Sequence, residues 1–374
     1  MGCSASVQMH NYTEGGATSH SLDPKGARTK QIDKELAKDQ KIENGIIKIL
    51  LLGGMESGKT TIFKQMRILH TTGFSQADKI NFRYVIHANA VECLRQLLQA
   101  WGKLGIHLDH NLTTFELLHA QIYVKQFLHF YGRAKAEEDE KDLEIPPEIG
   151  HIMSLLWKNK AIQACYARRW EFVFMDSAQY FLDNLYRIAD PEYMPNEQDI
   201  LNCRFRTSGI HQIDFAYKSV DFRMIDVGGQ KSERRKWIHV FDNTDMILFI
   251  LALTDYDQSD PEEETQNRLV KNMAIYKWIV NCQPLSKASV TLFLNKFDLF
   301  GDKLSHSPVT SCFREYDGDC TPDDVVSYVA ERFRSVTPTQ KNFYPFTSQA
   351  TDTDNVAKVF SSCLSDLISK CLAL

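Results

Sequence analysis

The chain has 374 residues, 43% of them hydrophobic and 24% charged, with a formal net charge of -5. This length can hold two domains of ordinary globular composition, and the negative charge argues against a general nucleic-acid-binding protein, so no nucleic-acid partner is expected. The nine cysteines are scattered without a C-x-x-C pair, which favours free thiols in a reducing compartment over a disulfide framework or a zinc site.

The N-terminal residues 1–6 fit the pattern M-G-x-x-x-[ST], which predicts N-myristoylation of Gly2. Cys3 beside it is a candidate for palmitoylation, and two acyl chains anchor a protein where one binds only marginally. An unmodified, frayed terminus is the alternative, and no secretory signal is visible.

Residues 7–27 predict a flexible lead. Residues 28–43 have helix propensity but little to bury, so this helix is either solvated or completed by a partner.

Residues 53–60 read GGMESGKT and fit G-x-x-x-x-G-K-[ST], the loop that binds nucleotide phosphates. The run 46–52 before it, apolar except for Lys48, predicts a buried strand, and residues 61–70 predict a helix. This arrangement points backbone N–H groups at one anion. Lys59 is expected to contact the β- and γ-phosphates, and the Thr60 hydroxyl to ligate Mg²⁺. The alternative is a chance match in an ordinary strand–turn–helix.

After residue 70 the alternation of strands and helices stops for roughly 130 residues. Apolar residues recur at helical spacing in segments 86–101, 152–157 and 178–185. The charged run 137–142 is expected to be a solvated connector. We therefore predict an all-helical domain inserted into the nucleotide-binding one, with its aromatic and leucine side chains forming a core.

Strand patterns then return at residues 222–225, 246–253, 290–294 and 343–346, with helical stretches near 265–280, 323–334 and 354–372. The longest apolar run, 246–253, is far too short to span a membrane. Alternating strands and helices predict a mainly parallel sheet covered on both faces. Ligands of such sheets bind at the carboxyl ends of the strands, where each remaining motif lies.

Residues 226–230, DVGGQ, follow one of these strands. Asp226 is expected to hold Mg²⁺ through water, and Gln230 to orient an attacking water. The two glycines allow the backbone to approach a γ-phosphate. Taken alone the motif is weak, because Asp–Gly turns are common.

Residues 295–298, NKFD, follow the next strand and bear on the choice of base. The Asp298 carboxylate can accept two N–H donors, which guanine offers and adenine does not. Bound ATP would leave an unmatched acceptor, at a cost of roughly 1–3 kcal/mol. The alternative is an ordinary polar loop.

Residues 204–209, RFRTSG, close the helical segment. Arg204 can reach the phosphates in cis and stabilise the charge that develops in phosphoryl transfer. Thr207 can supply a second hydroxyl to Mg²⁺. Without the other motifs, a surface arginine would be the simpler interpretation.

Together these stretches resemble the α subunits of heterotrimeric G proteins. The matching text includes residues 226–239, 293–296 and 350–353, and the similarity covers nearly the whole chain from Lys30. The resemblance implies an α/β P-loop GTPase with a mainly parallel six-stranded sheet and an inserted all-helical domain. The implied divisions are an acylated lead and helix at 1–44, a Ras-like GTPase domain at 45–70 and 203–374, and a helical insert at 71–202.

The resemblance also implies roles for individual residues. Arg204 would be the cis arginine finger, Gln230 would position water, Thr60 and Thr207 would ligate Mg²⁺, and Glu56 would pair with Arg204. The implied GTP/GDP contacts are Glu56, Ser57, Gly58, Lys59, Thr60, Thr61, Ser177, Leu201, Arg204, Thr207, Asp226, Gly229, Gln230, Asn295, Lys296, Asp298 and Ala350, the last through its backbone. The implied partners are a G-protein βγ dimer, a seven-helix membrane receptor, a downstream effector and the inner leaflet, which places the chain at the cytoplasmic face of the plasma membrane.

The chain departs from the family pattern G-A-G-E-S-G-K-S at Met55, which replaces a glycine. We expect Met55 to crowd the transition state more than bound GTP, because water, Gln230 and Arg204 must all be aligned to react. Binding would then survive and hydrolysis would be slow. The alternative is that the flexible side chain turns away at little cost.

Two further departures concern nucleotide exchange and receptor coupling. Gln349 is larger than the usual cysteine and can alter nucleotide exchange. The C-terminal helix ends early, which puts receptor coupling in doubt.

We predict a membrane-attached GTP switch whose segments around Thr207 and Gly229 are ordered by the γ-phosphate. One alternative is a GTP-holding platform with negligible turnover, which Met55 favours. The other is a P-loop kinase or ATPase, which the NKFD motif opposes.

Overall fold

The computed structural model describes residues 45–105, 114–136 and 143–371, together with the isolated residues Arg28 and Lys34. Some predictions fall outside this part of the chain: the acylation sites Gly2 and Cys3, most of helix 28–43, connector 137–142 and the end of the C-terminal helix. The elements below belong to one unit, Ile47–Leu374. None of its described helices combines the length and apolar character that a membrane span requires.

The strands in chain order are β1 (Ile47–Gly53), β2 (Ile210–Tyr217), β3 (Val220–Val227), β4 (Met246–Ala252), β5 (Ser259–Asp260), β6 (Glu263–Asn267), β7 (Ser289–Asn295) and β8 (Phe343–Ser348). The helices are α1 (Lys59–His70), α2 (Gln76–Leu104), α3 (Thr114–Ala136), α4 (Pro147–Trp157), α5 (Lys160–Ala167), α6 (Ala178–Asp183), α7 (Leu185–Ile188), α8 (Glu197–Asn202), α9 (Arg268–Val280), α10 (Phe297–Leu304), α11 (Pro322–Ser335) and α12 (Thr353–Cys371).

Six strands form one sheet in the order β2-β3-β1-β4-β7-β8. All neighbours are parallel except β2, which pairs antiparallel with β3. The predicted mainly parallel six-stranded α/β fold is therefore confirmed. The sequence patterns did not locate β2, because it lies at the sheet edge and most of its residues are exposed, so it lacks a continuous apolar run.

The central strands are buried on both faces. Leu50 and Leu52 of β1 pack in one hydrophobic cluster with Phe249, whereas Ile49 and Leu51 pack in another on the opposite face. This division follows from the two-residue period of a strand. It explains why the apolar runs were continuous rather than alternating.

Between Thr71 and Cys203 the described residues form helices and no strand. Their core is a third hydrophobic cluster that includes Leu94, Phe127 and Phe181. The predicted helical segment is therefore present, and its aromatic and leucine side chains pack as expected. The domain boundaries at 70/71 and 202/203 stay predictions.

Two predicted helices were placed wrongly in part. The segment 178–185 is broken at Asn184, which separates α6 from α7. The helix near 265–280 begins only at Arg268, because residues before it pair as β6 with β5. Asn267 caps α9, since its side chain accepts a hydrogen bond from the Val270 N–H.

Candidate functional site

The phosphate loop lies between the end of β1 and the start of α1, as predicted. Its turn needs left-handed backbone at Glu56 (φ +58°) and Gly58 (φ +104°). A Cβ on Gly58 would lie 2.1 Å from Asn295 Nδ2, and one on Gly54 would lie 2.0 Å from Asn272 Oδ1. The glycines are therefore required because side chains of other elements press on the loop.

Lys59 is the first residue of α1 and only 5% exposed. Its Nζ donates hydrogen bonds to the Gly54 carbonyl at 2.5 Å and to the Gly53 carbonyl at 3.2 Å. Burial lowers the pKa of Lys59 to about 8, although nearby Asp226 opposes that change. The lysine is a partly compensated buried cation, and an anion in the loop would complete it.

Three oxygen-bearing side chains meet beside Lys59. The Thr60 and Thr207 Oγ1 atoms lie 2.5 Å apart, and Thr60 also donates to Asp226 Oδ2 at 3.0 Å. Asp226 is 1% exposed, its Oδ1 has no hydrogen-bond partner, and burial raises its pKa. Hard oxygen donors around an unsatisfied carboxylate fit Mg²⁺, which prefers such ligands and keeps several waters. The described residues hold no group of three or more His, Cys, Asp or Glu suited to a metal.

Gly229 approaches the phosphate loop more closely than any other residue type would allow. A Cβ there would lie 2.5 Å from Lys59 Nζ and 2.7 Å from the Gly54 carbonyl. The side chain of buried Trp237 donates to the adjacent Gly228 carbonyl at 2.9 Å. The segment after β3 is thus fixed against the loop on one side and anchored by an indole on the other.

Arg204 lies opposite the phosphate loop. Its Nη2 forms an ion pair with Glu56, as the resemblance implies. Its backbone is held by Asn89 of α2, which accepts from the Arg204 N–H at 2.6 Å and donates to its carbonyl at 3.2 Å. Arg268, buried on α9, also pairs with Glu56 at 3.4 Å and donates to the Met55 carbonyl.

Gln230 has both ends of its amide engaged. Its Oε1 accepts hydrogen bonds from Arg206 Nε at 3.0 Å and Nη2 at 2.5 Å. Its Nε2 lies 3.5 Å from Met55 Sδ, within the reach of a hydrogen bond to sulfur. Met55 is outside the left-handed region, so its side chain causes no backbone strain. It lies against Gln230 rather than turned away from it, and its effect on the rate of hydrolysis stays a prediction.

The other end of the site is built around the NKFD motif. Asn295 Nδ2 donates to the Ser57 carbonyl at 2.8 Å, and its Oδ1 accepts from the Ala350 N–H at 3.0 Å. Asn295 therefore ties the phosphate loop to the loop after β8. Burial raises the pKa of Asp298 on α10. Because the Ala350 N–H binds Asn295, the implied contact of that backbone with guanine stays a prediction.

The helical segment closes the site from the far side. Ser177 donates to the Asn202 carbonyl at 2.7 Å, and Leu201 is buried beside it. Lys296, in left-handed conformation at φ +63°, forms a 2.6 Å ion pair with Asp176. This pair joins the helical segment to the loop that follows β7.

One cavity of about 410 Å³ is bounded by all these elements, a volume typical of small-ligand sites. Apart from Asp226, which reaches it through Thr60, every predicted nucleotide contact lines the cavity. These residues are Glu56, Ser57, Gly58, Lys59, Thr60, Thr61, Ser177, Leu201, Arg204, Thr207, Gly229, Gln230, Asn295, Lys296, Asp298 and Ala350.

Comparison with known proteins agrees with this geometry. The family model described as G-protein alpha subunit matches residues 26–368. The chain belongs to the G-protein α-subunit family. It is 42% identical over 345 residues to the guanine nucleotide-binding protein alpha-6 subunit of Caenorhabditis elegans, covering 92% of each chain. It is 39% identical over 344 residues to the alpha-7 subunit of Caenorhabditis briggsae, covering 91% of this chain and 93% of that one.

A fungal relative extends the match. The chain is 38% identical over 349 residues to a guanine nucleotide-binding protein subunit alpha of Pyricularia oryzae, covering 93% of this chain and 95% of that one. The resemblance found in the sequence is therefore confirmed across nearly the whole chain. Members of the G-protein α-subunit family are GTP-binding signalling proteins and GTPases.

Sequence reasoning missed several residues that shape this G-protein α site. Arg206, Asn89, Lys64 and Arg268 were not singled out, yet each contacts the loops that bound the cavity. Their partners lie far away in the chain, so no local motif marks them. The segment RFRTSG offered the one available signal, and only for Arg206, because it contains this second arginine two residues after Arg204.

Proposed function

We propose that this chain binds GTP and GDP with Mg²⁺ and works as a membrane-attached switch between the two nucleotide states. The observation that carries the proposal is one cavity with a buried lysine and paired hydroxyls at one end and the Asp298 carboxylate at the other. The first end suits the triphosphate of a guanine nucleotide, and the acceptor at the second end suits its base. Membership of the G-protein α-subunit family supports the same conclusion.

At the phosphate end, Lys59 would exchange its loop carbonyls for the β- and γ-phosphate oxygens. Thr60 and Thr207 would hold Mg²⁺ through their hydroxyls, with Asp226 hydrogen-bonded behind Thr60. Bound Mg²⁺ supplies positive charge to the phosphate oxygens. Bound Mg²⁺ and the γ-phosphate would hold the segments around Thr207 and Gly229 in this arrangement, and loss of the γ-phosphate would release them.

Hydrolysis would depend on three side chains of this chain. Gln230 accepts a hydrogen bond from the attacking water, while Arg204 and Lys59 stabilise the charge that develops on the transferred group. Glu56 holds Arg204 beside the cavity before reaction. Since the Arg204 backbone is fixed by Asn89, only its side chain must rotate.

Met55 would slow this reaction without preventing GTP binding. Its sulfur contacts the Gln230 amide, so the side chain occupies space that Gln230 and water need. We expect Met55→Gly to raise the single-turnover rate of hydrolysis by about tenfold, the effect of removing one modest barrier contribution. Rates that are equal in the parent and the variant contradict this hypothesis.

The second candidate is a GTP-bound signalling platform with negligible turnover. The engagement of both ends of the Gln230 amide favours it, whereas the presence of Arg204 and Gln230 opposes it. Phosphate release from stoichiometric GTP distinguishes the two. Release at a rate above that of free GTP supports the switch, and its absence supports the platform.

Base selection tests the proposal most directly. We expect GTP and GDP, but not ATP, to displace a fluorescent guanine nucleotide from the purified chain. The physical reason is that adenine leaves the Asp298 acceptor unmatched once the bound base covers it, which costs roughly 1–3 kcal/mol. Equal competition by ATP would sink the proposal and favour a P-loop kinase or ATPase.

The remaining parts of the proposal follow from family membership. A βγ dimer, a seven-helix receptor and an effector would bind the chain, and acyl groups on Gly2 and Cys3 would hold it at the cytoplasmic face of the plasma membrane. The helical insert would span 71–202. Mass spectrometry of the N-terminal peptide from a eukaryotic host tests the acyl groups, and unmodified Gly2 and Cys3 would contradict them.

A further inference from the structure

The Gln230 side chain is held by two residues whose contacts compete with hydrolysis. Arg206 donates two hydrogen bonds to Oε1, and Met55 Sδ faces Nε2 at 3.5 Å. An amide has one acceptor oxygen and one donor nitrogen. To orient water, Gln230 must turn that same oxygen toward the water's hydrogen. The observed orientation therefore differs from the one that reaction requires.

We propose that Arg206 and Met55 form a latch, which holds the Gln230 amide in an orientation that cannot position the attacking water. Arg206 is then a positioning residue that limits the rate of GTP hydrolysis. This inference rests on the proposed GTPase function. It goes beyond the crowding by Met55, because it assigns most of the hydrogen bonding that holds the Gln230 amide to Arg206.

The backbone around Arg206 is fixed on both sides. Asn89 holds Arg204, and Thr207 meets Thr60. Nearby, the Gly209 N–H donates to Glu233 at 2.9 Å. The latch must therefore open by rotation of the Arg206 side chain rather than by movement of its segment. Since Arg206 is exposed, that rotation takes the guanidinium into water.

The strength of the latch follows from its contacts. A hydrogen bond to a charged group contributes more than a neutral one, but exposure to water reduces its net effect. Methionine sulfur is a weak acceptor. Arg206 therefore contributes most, and removal of its side chain should raise the hydrolysis rate about tenfold, a factor that corresponds to roughly 1.4 kcal/mol. Replacement of the sulfur alone should have a smaller effect.

The test is single-turnover hydrolysis of GTP already bound to the purified full chain, which makes the rate independent of affinity. We expect Arg206→Ala to react about tenfold faster than the parent. Arg206→Lys keeps a donor and should stay close to the parent rate, and Met55→Leu should react only slightly faster. Arg235→Ala, at an exposed residue of the same charge on the segment after Gln230, is the matched control and should leave the rate unchanged.

A double-variant comparison separates positioning from a general structural effect. In a Gln230→Leu background there is no amide for Arg206 to hold, so Arg206→Ala should no longer raise the rate of GTP hydrolysis. An unchanged or slower rate for Arg206→Ala alone overturns the latch, the slower rate because it would make Arg206 a direct stabiliser of the reaction. An equal acceleration in the Gln230→Leu background overturns it as well. Failure of the parent chain to take up fluorescent GTP is a separate result, which overturns the proposed function.

Discussion

The stability of the nucleotide-free chain should depend on pH through Lys59. Burial lowers the pKa of Lys59 from 10.5 to about 8, because its compensation by two loop carbonyls is incomplete. Between pH 8 and 10.5 the unfolded chain binds a proton at this lysine that the folded chain has released. The free energy of unfolding therefore rises with pH in that window.

The magnitude follows from the two pKa values. One pKa unit corresponds to about 1.4 kcal/mol, so the folded chain should gain about 1 kcal/mol at Lys59 between pH 7 and pH 9. Lys59→Met keeps a side chain of similar length but has no proton to release. Between pH 7 and pH 9 the unfolding free energy of the parent should therefore rise by that amount relative to the variant. The effects of other titrating groups cancel in this comparison.

The assay is urea unfolding of both nucleotide-free proteins, followed by tryptophan fluorescence at several pH values. A second series contains Mg²⁺ and GTP. Phosphate charge beside Lys59 favours the protonated amine, so in that series the rise with pH should disappear. Parallel pH profiles for parent and variant without nucleotide would refute the reasoning, because they would mean that Lys59 is charged in the fold throughout.

Three further predictions concern other parts of the site. Asp298→Asn should weaken GTP binding by about tenfold, measured by competition against a fluorescent nucleotide, since it replaces one acceptor oxygen by a donor; unchanged affinity would contradict the assigned base contact. Gly229→Ala should weaken GTP binding, measured by the same competition, because the added Cβ would lie 2.7 Å from the backbone carbonyl oxygen of Gly54, and an unchanged affinity would refute the close approach. Lys64→Met should lower the unfolding free energy by about 2 kcal/mol, because it leaves two buried carbonyls without the donor that lies 2.8 and 2.9 Å from them, and equal urea midpoints would contradict this.

The sequence by itself determined the phosphate-loop residues and the buried strands. The glycine loop, Lys59 and Thr60 are recognisable because a phosphate site needs these residue types at fixed spacing after a strand. The buried strands β1, β4 and β7 are recognisable because strands covered on both faces are continuously apolar. For the same reason the exposed edge strand β2 escaped prediction, and its existence was decided by pairing with β3.

Contacts between distant segments were decided only by the tertiary structure. Asn295 stands in a recognisable motif, but its bonds to the Ser57 carbonyl and the Ala350 N–H join segments 238 and 55 residues away. Arg206 and Met55 meet at Gln230 although no pattern connects them. A sequence motif specifies which groups a loop carries, whereas the direction of each side chain depends on neighbours that only folding brings together.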